Sequence, residues 1–393
     1  MVSKGVSRAT SAVLLSIVIA SAAVRISLDD VAAFSPADET FGANVAASLA
    51  GGFLAKYPAH AQRYLDFPED WKYPTPLRWG YFALAAGACS VAPRCTPGPL
   101  ATLSTLAAIA AVPLTFAVAL AFVAPEAALL AAALVASSPL QLALGRRALQ
   151  DAPATAALLL AVWAFLRMLS ATRRRAAWTA AAVLAAAFAL SVKEASILYA
   201  PALALVWWSR RGRGARWSDL AVLLAPALFV LGYELVARGS FLAMARVALD
   251  GVAQPYAQRF QGGPPHRYLF DLLAISPLPV LAAAGAGGLL LDSRDDRGAL
   301  ELALATAAVF GAFAFATRNL RLFGGGDVLV RMLAAWLVAR LSRRSLYPVA
   351  WIAGAALVFV AADAACFHKV FLEGSVYDPT TFDLLRALGA VPG

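Results

Sequence analysis

Charge is scarce in this 393-residue sequence: Asp, Glu, Lys and Arg make up 14% of it, against 61% hydrophobic residues. A soluble chain of this length would form two or three domains with charged surfaces. A mean hydropathy of +0.71 excludes that class. Cysteine is also rare, and Cys89, Cys95 and Cys366 form no CxxC pair and no metal-ligand spacing. Neither a disulfide framework nor a zinc site is therefore expected. Internal repeats and low-complexity linkers are missing as well, which removes solenoids and arrays. The net charge of +10 does not point to nucleic acid, because its arginines cluster in short segments between apolar runs. That is the positive-inside pattern of a membrane protein.

What the sequence has in quantity is apolar runs near the roughly 20 residues that span a bilayer. They fall at about 9–28, 77–92, 100–123, 127–144, 154–169, 177–192, 195–208, 220–236, 269–291, 300–316, 328–341 and 346–362. Many are rich in Ala, whose small side chain lets membrane helices approach closely. Lys4 and Arg8 before the first run, and the arginine clusters 173–175 and 210–216, read as cytoplasmic. Counting crossings from these anchors makes one run between 77 and 144 non-crossing, either the 77–92 run or the region of Ser137 to Pro139. The expected fold is an all-α polytopic membrane protein of about 11–12 transmembrane helices, forming a single transmembrane domain over 1–393. Its N-terminus is cytoplasmic, in the plasma (inner) membrane. Residues 29–76 form a first outer loop, 238–268 a second, and 364–393 an external tail.

The first outer loop holds an organised stretch, Ser35-Pro36-Ala37-Asp38-Glu39-Thr40-Phe41-Gly42. Ser35 suits a helix N-cap, Pro36 the first turn, and Asp38 the capping-box spacing. Phe41, Val45 and Leu49 then give an apolar stripe that stops at Gly51-Gly52, as in an amphipathic helix lying on the membrane surface. Asp38 and Glu39 read either as a chemical centre or as complements to the helix dipole, worth about 0.3–1 kcal/mol. The other outer-face charges are Arg78, Arg146, Arg147, Asp151, Lys193, Glu194, Glu234, His266, Arg267, Arg318 and Arg321. So much arginine opposite the cytoplasm runs against the usual charge bias, and a bound anion at that face accounts for it. Each also has a plainer reading: Arg146 and Arg147 as snorkelling side chains, Lys193-Glu194 as a polar turn, His266 as structural. Asp327 and Arg331, four apart on one helix, are expected to pair.

In order along the chain, several short motifs resemble the GT-C superfamily of integral-membrane glycosyltransferases. The closest branch in pattern is the lipid-carrier-dependent one related to dolichyl-phosphate-mannose protein mannosyltransferases. The motifs are Asp38-Glu39 at a helix start, Lys72-Tyr73-Pro74-Thr75-Pro76-Leu77, Ser138-Pro139 leading through Arg146 to Asp151-Ala152-Pro153, Val192-Lys193-Glu194, and Arg318-Asn319-Leu320-Arg321. The resemblance implies inverting transfer of a sugar, hexosyl or pentosyl, from a polyprenyl-phosphate carrier to a lipid, glycan or protein acceptor at the outer, periplasmic face. It implies Asp38 as general base, with Glu39 and Asp151 completing the acidic set. Arg146, Lys193, Glu194, His266, Arg267, Arg318 and Arg321 become substrate-binding. In members that need a divalent cation, magnesium or manganese, Asp38 and Asp151 are its ligands. The large soluble outer domain of some relatives has no counterpart here. Independently of any family, such chemistry needs a carboxylate to accept the nucleophile's proton and cations where the leaving phosphate gains charge. The rival reading is a transporter or lipid flippase, which predicts inverted repeats, broken helices and charges at mid-membrane.

Overall fold

The structure is a computed structural model and describes residues 7–28, 36–212, 214–293, 296–316 and 318–392. Ser35 and Lys4 lie outside the described residues. Among those described the chain is helical, with no strand beyond one isolated bridge between Arg211 and Ala215. The helices are α1 (Arg8–Ser27), α2 (Pro36–Leu49), α3 (Phe53–Asp66), α4 (Trp79–Val91), α5 (Pro97–Ala119), α6 (Pro125–Ser137), α7 (Pro139–Gly145), α8 (Asp151–Ser170), α9 (Arg175–Val192) and α10 (Ala200–Ser209). There follow α11 (Ala225–Ala237), α12 (Phe241–Ala253), α13 (Pro255–Gln261), α14 (Arg267–Ile275), α15 (Pro277–Ser293), α16 (Arg297–Ala314), α17 (Gly324–Ser342), α18 (Pro348–Phe367) and α19 (Thr381–Ala387).

Eight of the described helical segments are long and apolar enough to cross a membrane, or nine if the bent pair α6–α7 counts as one. The expected eleven or twelve spans thus resolve into these and shorter helices. The run 77–92 is the 13-residue α4, about 20 Å long at 1.5 Å per residue and too short for the roughly 30 Å hydrocarbon core. The run 195–208 ends in the 10-residue α10, and 269–291 is divided between α14 and α15. Both places suspected of not crossing are therefore irregular. At the second, Pro139 forces Ser138 out of the helical region, and α6 and α7 meet at 55°. Ser138 then caps α7 through the Gln141 N–H.

Two packed cores organise the bundle. The larger draws on α5 to α8 and α14 to α18, the smaller on α2, α3, α4, α9 and α11. Ala131, Ala132, Ala143, Ala334 and Ala335 are fully buried, where small side chains let helix axes draw together. Close approach is evident at Gly325: a Cβ there would stand 2.6 Å from Leu158 Cδ2 and 2.8 Å from the Tyr199 hydroxyl. The stripe on α2 does not lie open to lipid. Ala43, Val45, Ala46 and Leu49 are buried where α2 packs on α3, α4 and α5, and Phe41 stacks on Tyr73 at 4.0 Å. The cysteine expectation is corrected too: Cys89 and Cys95 are joined in a disulfide across the α4–α5 turn. Their spacing of six gave no motif, but the turn brings the Cα atoms to 4.8 Å.

Asp327 and Arg331 do pair, at 3.0 Å, and the pair belongs to a larger buried network. The Arg331 guanidinium also meets Asp363 of α18 at 2.6 Å, the Ser276 hydroxyl at 2.8 Å and the Leu134 carbonyl at 2.9 Å. The Ser138 hydroxyl donates to Asp327 at 2.8 Å and the Ser276 hydroxyl to Asp363 at 2.6 Å. The two serines occupy the two helix breaks, so one cation ties α6, α14, α17 and α18 together. Replacing Arg331 with Met leaves two carboxylates buried without their cation, and should cost about 3–5 kcal/mol. Thermal unfolding in detergent tests this, and adding Asp327→Asn and Asp363→Asn should recover part of the loss.

Candidate active site

α8 starts at Asp151, where the chain leaves the compact turn after Gly145. α9 runs back antiparallel to it and ends at Lys193. The Asn319 side chain caps a short turn, Leu320–Phe323, that delivers Arg321 just before α17. These three ends meet. Lys193 Nζ donates to Asp151 Oδ1 and, at 3.4 Å, to the Arg321 carbonyl. Arg321 Nε and Nη2 each lie 3.4 Å from Asp151 Oδ2. The Asp151 side chain is only 1% exposed, so its charge depends on these two cations.

The opposite edge of the guanidinium faces two more carboxylates. Nη1 lies 3.5 Å from Asp38 Oδ2 on the first turn of α2, and 2.8 Å from Asp378 Oδ1 in the segment after α18. Asp38 and Asp378 remain 21% and 19% exposed, unlike Asp151. Burial lifts the Asp38 carboxyl above the ordinary carboxylate range, against the pull of Arg321. Tyr377 completes the cluster, its ring 4.4 Å from the Arg147 guanidinium and 5.4 Å from that of Arg321. Arg78 grips Glu194 with two bonds, at 2.8 and 2.6 Å, fixing the residue next to Lys193.

Of the residues singled out in the sequence, Asp38, Asp151, Lys193 and Arg321 converge, with Glu194 beside them. Glu39 instead accepts the Ala148 N–H at 2.8 Å and so ties α2 to the turn that precedes Asp151. Arg146 reaches Thr105 Oγ1 at 3.5 Å. His266 is exposed and meets Phe270 edge-on, while Arg267 pairs with Asp271 at 3.2 Å. Arg318 donates to the Ala314 carbonyl, closing the C-terminal end of α16. Tyr377 and Asp378 were missed. They sit in a tail with no regular pattern, and only an aromatic–acidic pair in an otherwise plain stretch marked them. No three His, Cys, Asp or Glu side chains among the described residues are placed to share a metal ion, and Asp38 and Asp151 both turn to a guanidinium.

A narrow polar recess lined by Asp151, Lys193, Tyr199 and Arg321 adjoins an apolar cleft of about 40 Å³. Leu158, Tyr199 and Gly325 belong to both, and Phe122, Leu166, Val206, Leu302 and Leu329 continue the cleft between α5, α8, α10, α16 and α17. On the other side of the cluster, Tyr377 and Asp378 border a cavity of about 600 Å³.

Residues 96–233 match the family model of dolichyl-phosphate-mannose-protein mannosyltransferases. No curated protein sequence matches the chain. Among solved structures it is similar to the Archaeoglobus fulgidus oligosaccharyltransferase in its apo form, at 14% identity and a TM-score of 0.58 over 93% of this chain and 56% of that one. ArnT from Cupriavidus metallidurans in the apo state aligns at 18% identity and a TM-score of 0.60, over 92% of this chain and 64% of that one. ArnT bound to undecaprenyl phosphate aligns at 16% and 0.57, over 95% and 68%. The chain thus spans between about half and two thirds of the length of these solved relatives. A segment that matches a mannosyltransferase family model thus lies within a chain whose described residues are helical and whose fold is similar to those of the oligosaccharyltransferase and ArnT.

Proposed function

We propose that this protein transfers a sugar from a polyprenyl-phosphate carrier to an acceptor hydroxyl or amide at the outer face of the plasma membrane, with inversion. The observation that carries the reading is the position of Arg321, a cation among Asp38, Asp151 and Asp378 at the polar end of an apolar cleft. The apolar lining of the cleft suits a prenyl chain, for which its volume of about 40 Å³ has to open, and the carrier phosphate then lies toward Arg321. Arginine's fork of donors matches phosphate oxygens, and positive charge there stabilises the leaving phosphate as negative charge develops. Asp38, the more exposed carboxylate with the raised affinity for protons, accepts the proton from the acceptor nucleophile. Attack from the side opposite the phosphate inverts the anomeric carbon. Asp151 acts through Lys193 and Arg321, holding both in place. No step is routed through a metal ion.

Orientation is supported from two directions. The arginine-rich turns gather at the other end of the bundle, where Arg175 pairs with Asp219 and bonds the Gly214 carbonyl, and Arg210 pairs with Glu301 at 2.9 Å. The Cys89–Cys95 bridge lies at the site end, with Cys95 Sγ 3.4 Å from the Ala43 carbonyl of α2, and disulfides persist in oxidising compartments. The transporter reading draws on the α6–α7 break and the Arg331 network. That network is closed by its own partners, whereas the Arg321 cluster opens onto a cleft.

The test is transfer from a polyprenyl-phosphate-linked sugar by membranes carrying the protein. Asp38→Asn should lower the rate about 10²–10⁴-fold while leaving donor binding in place; an unchanged rate removes Asp38 from this role. Because the base acts when ionised, activity should rise with pH through a midpoint above the ordinary 3.8 of a carboxyl. A pH profile of kcat/KM shows where that limb falls. Activity should survive EDTA, since the carboxylates are neutralised by Arg321 and Lys193. Failure to use any such donor, with uptake or lipid movement instead, would favour the transporter.

A further inference from the structure

Arg147 is 2% exposed, yet its Nε and Nη1 have no hydrogen-bond partner. Only Nη2 is bonded, to the Val376 carbonyl at 3.2 Å. A buried cation with idle donors is poorly compensated, and burial together with nearby Arg321 weakens its hold on its proton. The Tyr377 ring lies 4.4 Å from its guanidinium and also lies against Arg321. The two guanidiniums therefore flank one ring, and the next residue, Asp378, places its carboxylate on Arg321 at 2.8 Å.

We infer that Arg147 and Arg321 form one binding site for the phosphate of the lipid carrier, and that the Asp378 carboxylate of the C-terminal segment holds that place until the carrier displaces it. The inference rests on the glycosyl-transfer reading. A carboxylate and a phosphate diester each bring one negative charge and paired oxygens to the same fork of donors. Nη1 of Arg321 already meets both Asp38 and Asp378, so a further anion on that edge needs a carboxylate to leave. Asp151 cannot be the group that leaves, because it is deeply buried and paired with Lys193. Asp378 can. It stands between the turn His368–Glu373 and α19, outside regular structure, with Ser375 in the left-handed region at φ +49°. It also borders the 600 Å³ cavity, whose lining includes Arg386 as an alternative cation. Withdrawal of Asp378 into that space takes Tyr377 with it and uncovers the idle donors of Arg147.

The experiment measures binding of undecaprenyl phosphate, without a sugar, to the full chain in detergent at fixed salt. Asp378→Asn should bind about tenfold tighter and Arg147→Gln about tenfold weaker than wild type, while Asp378→Glu should resemble wild type. Asp378→Ser serves if the asparagine variant is not monodisperse. Wild-type binding that is unchanged or weakened by loss of the carboxylate overturns this inference alone. Absence of binding by wild type and variants alike overturns the donor reading, and the inference with it. Inorganic phosphate is the second probe; if it binds as tightly as the lipid, the site belongs to free phosphate and the lipid-carrier assignment fails.

Discussion

The arrangement depends on one constraint: the Arg321 guanidinium cannot be taken out of water without anions around it. Burying an isolated ion costs several kcal/mol even after relaxation, and that cost is offset only by close partners of good geometry. Asp151, Asp38 and Asp378 supply them, each from a different part of the chain. The start of α8, the start of α2 and the segment after α18 therefore converge on one cation. Lys193 balances the most buried of the three carboxylates and brings in the end of α9. A site of alternating charge results, neutral enough to exist between helices and strong enough locally to orient an ionic substrate.

The second buried cation, Arg331, contrasts with the first. It too is ringed by two carboxylates, but the Ser276 hydroxyl and the Leu134 carbonyl add to them, so that every nitrogen of the guanidinium is bonded. Its network spans the breaks at Ser138 and Ser276 and leaves no guanidinium nitrogen without a partner. Saturation of that kind fixes helices in place. The cluster at Arg321 has the opposite character: long contacts to Asp151 and Asp38, two partly exposed carboxylates, and the incompletely bonded Arg147 next to it. The difference in completeness, more than in composition, separates structural from functional charge in this bundle.

Much of this was legible in the sequence, for identifiable reasons. Membrane helices announce themselves by length and hydropathy, and a charge in a low-dielectric setting is expensive enough to be informative wherever it appears. Asp151, Lys193 and Arg321 were legible because each stands near the boundary of an apolar run, and Asp38 because it opens a helix in the first outer loop. The same rule over-collected. Arg318, Arg267 and His266 share that boundary position, yet they close a helix end, pair locally or stand in solvent, and sequence carries no sign of which. Glu39, next to Asp38, points one helical step away and holds Ala148. Tyr377 and Asp378 belong to a tail whose return to the site is a tertiary event, invisible to periodicity. The Cys89–Cys95 bridge depends likewise on a turn that only the fold supplies.

The glycines that follow Arg321 set how deep its guanidinium reaches. At Gly325 the backbone of α17 presses against Leu158 and Tyr199 so tightly that a methyl group has no room. A side chain there would have to push Leu158 and Tyr199 aside or lift the start of that helix, and with it Arg321, four residues earlier, away from Asp151. The vertical position of the cation, and so of any headgroup it holds relative to the hydrocarbon, is thus governed by an omitted carbon atom.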